Sequence, residues 1–220
     1  MRIACLHTAD GNIAIFAAAA DALGISPDTL VHVSRPDLLA AATQAGHVTP
    51  ALQQQTHDAL LELAKNADLV LLGCSTLGPS AATADAESHI PVWRIDESLA
   101  KHAMSEAGKT RVLYAADTTL QPTQALFERV DRHLQATVEF QRVDGAWALF
   151  LAGNIAGYLQ RIAAAADEAF QQGVERVALA QASMSGAVEL TQFGAPLTSP
   201  VCALRDALKF LRTPRTEQNL

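Results

Sequence analysis

Leu69-Val70-Leu71-Leu72-Gly73-Cys74-Ser75-Thr76-Leu77-Gly78-Pro79-Ser80 is an unbroken apolar run that ends in a small polar turn bracketed by glycines. A strand with one wet face alternates apolar and polar residues. A short run without alternation fits a strand covered by helices on both faces, as in a parallel sheet. The turn that follows gathers a thiol and two hydroxyls at a strand's carboxyl end. That is where open α/β sheets place their ligands.

The same stretch recurs. Leu179-Ala180-Gln181-Ala182-Ser183 resembles Leu72-Gly73-Cys74-Ser75-Thr76, at an offset of 107 (181 − 74). Arg111-Val112 repeats Arg2-Ile3 at 109 (111 − 2), and Pro196 repeats Pro91 at 105 (196 − 91). Three landmarks keep their order and nearly their spacing, so the chain reads as two copies of one unit. A duplicated unit usually holds its ligand between the copies.

Outward from these turns, strand-like runs alternate with helical patterns. The runs are Ile3 to Leu6, Leu30 to Val33, Leu69 to Leu72, Val92 to Ile95, Val112 to Tyr114, Val138 to Phe140 and Val177 to Leu179. Thr49-Pro50 offers a helix N-cap with proline at the first helical position. Leu52, Ala59, Leu60, Leu63 and Ala64 then share one stripe, as do Leu126, Phe127, Val130 and Leu134. Ile155 to Phe170 is periodic, with Gly173 as its stop. Strand, helix, strand in repetition predicts an α/β fold of two pseudo-symmetric lobes, each a four-stranded parallel sheet flanked by helices. The lobes are expected at 1–95 and 96–199, with a C-terminal helix at 200–212 packing back on the first. The tail from Thr213 to Leu220 is polar and is expected to fray.

Composition narrows the functions. The 220 residues carry a formal charge of −7, which argues against broad nucleic-acid contact. Cys5, Cys74 and Cys202 are too few and too widely spaced for a disulfide framework or a zinc site, so no metal is expected. Three thiols fit a reducing compartment. No signal-peptide layout or membrane-length apolar run is legible, so a cytoplasmic protein without membrane contact is expected. No GxGxxG or P-loop pattern supports a nucleotide.

With Cys-Ser-Thr after an apolar strand and a degenerate copy in a second half of equal size, the chain resembles the aspartate/glutamate racemase superfamily. That superfamily includes amino-acid and hydantoin racemases, maleate isomerases and arylmalonate decarboxylases. The resemblance covers about residues 1 to 212. It implies a cofactor-independent isomerase acting on a small carboxylate between the lobes, with one catalytic position from each. In two-base racemases of this kind, cysteines face opposite sides of the substrate α-carbon. Cys74 matches the first position. The repeat places Gln181 at the second, where an amide cannot relay a proton at neutral pH. A one-thiol isomerase is therefore the leading expectation. A one-thiol decarboxylase, or a carboxylate-binding protein without catalysis, is the alternative. Dimers are usual in such families, so a homodimer is an expected assembly.

The candidate residues have two readings each. A helix N-terminus beyond Cys74 would lower its pKa from about 8.5 and make it a base or nucleophile; otherwise it is a buried structural thiol. Ser75 and Thr76 could add donors to a carboxylate. Gln181 could donate amide hydrogens to a carboxylate or enolate oxygen, or be a polar residue at a strand end. The resemblance implies a polar residue near Cys74 from the loop His7-Thr8-Ala9-Asp10-Gly11-Asn12. Thr8 is its substrate-binding candidate, and Asp10 would orient or deprotonate Cys74. Asp10 could equally cap the helix starting near Asn12. His7 is a general base or a core histidine. The resemblance also implies that Thr118 and Thr119 hold a substrate carboxylate; the other reading makes them N-caps of a helix starting near Gln121-Pro122. Ser183 could complete a hydroxyl-lined anion cradle or cap a helix. Arg35 binds a distal group or is a surface arginine. Trp147 and Phe150 read as packing.

Overall fold

The computed structural model describes residues 1–130 and 136–213. Leu134 and most of the polar tail lie outside the described residues.

Four strands build the first sheet: β1 (Ile3–His7), β2 (Leu30–Ser34), β3 (Leu69–Leu72) and β4 (Val92–Arg94). All pair in parallel, in the order β2-β1-β3-β4. Every residue of β1 and β3 is buried, which accounts for their unbroken apolar runs. The second sheet repeats this with β5 (Gly108–Tyr114), β6 (Ala136–Arg142), β7 (Arg176–Leu179) and β8 (Leu197–Thr198), in the order β6-β5-β7-β8. The fold is thus α/β, with two four-stranded all-parallel sheets flanked by helices.

Register refines the repeat. Leu6 pairs with Leu72, and Leu113 with Leu179, so one offset of 107 (113 − 6 and 179 − 72) relates both central strands. The match of Arg2 to Arg111 is two residues out of this register. Gly73 N–H continues the ladder to Leu6 O at 2.8 Å, and Ala180 N–H does the same to Leu113 O at 2.9 Å. Cys74 and Gln181 therefore leave equivalent strands at equivalent points.

The helices are α1 (Gly11–Ala22), α2 (Pro36–Ala45), α3 (Pro50–Ala64), α4 (Pro79–Glu87), α5 (Ile95–Ala103), α6 (Asp117–Arg129), α7 (Ala146–Leu151), α8 (Ile155–Gln171) and α9 (Ser199–Arg212). Thr49 caps α3 by accepting from Leu52 N–H. Gly173, at φ +79°, turns the chain after α8, where a side chain would be strained. One face of the first sheet packs on α3 and α4, through Leu60, Leu77, Ala81 and Ala84. Its other face packs on α1 and α9, through Phe16, Ala20, Ala203, Leu204 and Ala207. On the second sheet α8 covers one face, and α5 with α6 cover the other through Leu99, Ala100, Leu126 and Phe127.

The helix after β4 thus lies on the second sheet, and the helix after β8 on the first. None of the helices among the described residues is long and apolar enough to cross a membrane.

Candidate active site

The carboxyl ends of β1, β3, β5 and β7 converge on a cavity of about 40 Å³ between the two sheets. That is room for roughly three water molecules. From the first half it is lined by Thr8, Ala9, Asn12, Gly73, Cys74, Ser75 and Thr76, and from the second by Ala116, Thr119 and Ala180 to Ser183. Leu39 of α2, Ile95 of α5, and Trp147 and Phe150 of α7 complete the wall. The two aromatic rings stack on each other with centroids 4.9 Å apart. They pack, as read from sequence, and also face the cavity.

Cys74 is 6% exposed. Thr8 hydroxyl and the backbone N–H groups of Thr76 and Leu77 hydrogen-bond its sulfur, and each pulls its pKa down. Burial opposes them and wins, and the Asp96 charge pushes the same way, so the pKa lies above the ordinary thiol value. The expectation of a lowered pKa is corrected for a physical reason. α4 begins only at Pro79, so Cys74 meets two turn amides rather than a full helix terminus, and it meets them in a dry site. Cys74 rests as a thiol. Among the described residues lining the cavity it is the one side chain with an ionisable acid-base group.

Gly73 and Gly78 have distinct reasons to be glycine. A Cβ at Gly73 would stand 3.0 Å from His7 Nδ1 and 3.2 Å from Leu6 O. A Cβ at Gly78 would stand 2.4 to 2.6 Å from the Arg94 guanidinium. That guanidinium is clamped by Asp96, with Nε to Oδ1 and Nη2 to Oδ2 both at 2.6 Å, and the two side chains are 4% and 1% exposed. The pair lies beneath the Cys74 turn, close enough for each charge to act on the sulfur.

Across the cavity Gln181 Oε1 accepts from two successive backbone amides, Ala115 N–H at 2.7 Å and Ala116 N–H at 3.0 Å. Its carbonyl end is committed, so its Nε2 donors remain for a ligand. Ser75 and Thr76 are buried beside Cys74, and Thr119 is buried opposite them. Thr118 does not line the inner cavity. Its hydroxyl meets Thr76 Oγ1 at 3.2 Å and lines an outer cleft of about 950 Å³. Ser183 lines the cavity and pairs with Tyr158 hydroxyl at 2.9 Å. α6 begins at Asp117 rather than near Gln121, with Pro122 inside it, so Thr118 and Thr119 occupy its first turn.

Asp10 is elsewhere. It is exposed, its Oδ1 accepts from Ser34 hydroxyl, and its side chain makes no cap bond to α1. Neither orienting Cys74 nor capping describes it. α1 already begins at Gly11, which turns Asp10 outward and Asn12 inward. Asn12 is 5% exposed and its Oδ1, which lacks a hydrogen-bond partner among the described residues, belongs to a cavity-lining side chain. His7 is fully buried, with Nε2 2.9 Å from His32 Nδ1. Burial, with help from His32, pushes His7 down to about 4, so it is a neutral core histidine at pH 7. Arg35 pairs with Asp37 at the surface. Sequence reasoning missed Asn12, Arg94 and Asp96. Only the second-half repeat of apolar strand and polar turn could have led to the wall facing Cys74.

The profile of the family described as Asp/Glu/Hydantoin racemase matches residues 13–208. The chain belongs to that family. It is accordingly a racemase-type enzyme, an isomerase. No curated protein sequence matches it significantly. Solved structures share the fold at low identity. An allantoin racemase from Klebsiella pneumoniae is 16% identical, with a TM-score of 0.70 over 96% of this chain and 87% of that one. A glutamate racemase from Bacillus anthracis is 14% identical, with a TM-score of 0.67 over 96% and 81%. An aspartate racemase homologue from Pyrococcus horikoshii is 14% identical, with a TM-score of 0.65 over 94% and 97%. For this racemase-family chain, the departure is chemical: one of the two equivalent strand-end positions carries a thiol and the other an amide.

Proposed function

We propose that the chain is a cofactor-independent racemase or isomerase of small carboxylates in which Cys74 is the one side chain that carries a proton, with solvent serving the other face. The observation that supports this most is the pairing of Cys74 with Gln181 across one cavity whose lining, among the described residues, holds no second titratable group. In the reaction, the Cys74 thiolate takes the α-proton. The C–H bond breaks, an S–H bond forms, and the electron pair moves onto the carboxylate as an enediolate. Hydroxyls of Thr8, Ser75, Thr76 and Thr119, with the Gln181 amide, hold the developing charge. Cys74 reaches one face only, so inversion needs water to protonate the opposite face of the enediolate. The Cys74 thiol, which must also lose its proton to solvent before the first step, does so again to restore the thiolate. No charged side chain lines the inner cavity among the described residues, so the bound anion is neutralised by dipoles rather than by a cation.

The resting protonation of Cys74 favours a second reading, a decarboxylase. Loss of carbon dioxide from a substituted malonate leaves the same enediolate without any base. The thiol then gives its proton to one face, and solvent reprotonates the sulfur.

Deuterium separates these. The purified chain is incubated in heavy water with each enantiomer of aspartate, glutamate and allantoin, the compounds named for the structural neighbours, and separately with phenylmalonate. Cys74-dependent exchange at the α-carbon of a monocarboxylate or amino acid supports the isomerase. Turnover of phenylmalonate alone supports the decarboxylase. Cys74→Ala is expected to lower either rate by about 10²- to 10⁴-fold. Full activity in Cys74→Ala would sink both readings.

A further inference from the structure

Cys5 and His7 stand two residues apart on β1 and so project from the same face of the sheet. In the parallel register Cys5 pairs with His32 of β2. The fold therefore gathers a thiol and two imidazoles that the sequence separates, on the face covered by α1. A sulfur and one nitrogen from each ring lie within 4.8 Å of one another. Phe16 meets both rings edge-on, with centroids 4.7 and 6.4 Å away. The surrounding wall is aliphatic, built from Ile3, Leu69 and Leu71.

As a plain core arrangement this trio is uneconomical. His7 Nε2 and His32 Nδ1 satisfy each other at 2.9 Å, but His7 Nδ1 is buried without a hydrogen-bond partner among the described residues. Burying such a group is unfavourable where aliphatic side chains would pack without loss. None of the three lines the Cys74 cavity, so that chemistry does not explain them. β2 is the edge strand of its sheet and His32 is only half-buried, which gives an ion a way in.

We propose that Cys5, His7 and His32 form a zinc site with one sulfur ligand, two imidazole ligands and a fourth position open to water on the His32 side. One sulfur and two nitrogens suit zinc and disfavour magnesium and calcium, which take oxygen ligands. Ligand distances of about 2.0 to 2.3 Å require the trio to draw inward, and His32 on the edge strand has the freedom to move. On binding, the Cys5 S–H bond breaks, its electron pair bonds the metal, and one proton leaves to solvent. Nothing is oxidised or reduced. The site lies behind the catalytic turn, since the His7 ring is what Gly73 packs against.

Cobalt is the probe. The full chain is stripped with a chelator and titrated with Co²⁺. One equivalent should raise a thiolate-to-cobalt charge-transfer band with the visible absorption of a tetrahedral centre, and Zn²⁺ should abolish both. Cys5→Ser should lose the band, while Cys74→Ala and Cys202→Ala keep it. His32→Gln should weaken binding at least about tenfold. His32→Gln also serves if Cys5→Ser fails to fold, because Zn²⁺ should raise the melting temperature of the unaltered chain and not of this variant. A chain without the band, a band that survives Cys5→Ser or disappears with Cys74→Ala, or an equal rise in melting temperature in His32→Gln would overturn the proposal.

Discussion

Cys74 poses a choice between two protonation states, and pH resolves it. Burial holds its pKa above the ordinary value, so the thiol form dominates at neutral pH. A base must be the thiolate, whose fraction rises with pH. For the isomerase, kcat/KM is therefore expected to climb about tenfold per pH unit from neutrality until the raised pKa is reached. A thiol acting as acid predicts the opposite sign: a flat profile at neutral pH and a fall above that pKa. A profile of kcat/KM from pH 6 to 10 distinguishes them, and a bell centred near neutrality would contradict both. At this scale the sequence carried the Cys74 and Gln181 positions, because equal spacing from two like strands puts them face to face. It did not carry Asp10 against Asn12. Those two residues straddle the first turn of α1, and a shift of a single residue in the helix start decides which side chain enters the cavity.

Among the elements, β4 and α5 meet at the Arg94–Asp96 pair, and nothing in a run read as Val92 to Ile95 marks that junction. Arg94 ends the strand and Ile95 opens the helix, which puts Asp96 in its first turn, where a carboxylate is favoured. The guanidinium takes the space that the missing Gly78 side chain leaves. Arg94→Ala should strand a buried carboxylate and cost about 3–5 kcal/mol in urea unfolding. The Arg94→Ala, Asp96→Ala double variant should be less destabilised than the sum of the singles. Strictly additive losses would mean that the pair is not coupled. Strand edges were legible only where hydropathy tracks the ladder. β3 is apolar throughout and β1 up to His7, whereas β5 begins at Gly108 and carries an exposed Lys109 and a half-buried Arg111. Backbone register, not side-chain pattern, extends it to seven residues.

For the molecule as a whole, the exchange of α5 and α9 matters more than either sheet. Each lobe's sheet borrows a helix encoded beyond the other lobe's strands, and the two borrowed helices bring Leu99 and Leu204 into the opposite cores at 0% exposure. The duplication was readable from sequence. The lobe bounds drawn from sequence set 96–199 apart from 1–95, but the amphipathic pattern of a helix says only that it covers a face and not whose. Without α9 one face of the first sheet keeps only α1 as its cover, and without α5 one face of the second keeps only α6. A fragment ending at residue 198 keeps the eight strands of the described residues but leaves the face that holds Leu69 and Leu71 with α1 alone as its cover. It should be unfolded or aggregated by circular dichroism and size-exclusion chromatography. Leu204→Ala, which keeps the helix and removes one contact, should cost about 2–5 kcal/mol. Because Leu204 packs on β1 and β3, amide exchange in that variant should accelerate first in the first sheet, although the substitution lies 130 residues beyond Cys74 in sequence (204 − 74). Faster exchange confined to β5 and β7 would mean that α9 serves its own half and that the exchange of helices is not what joins the two lobes.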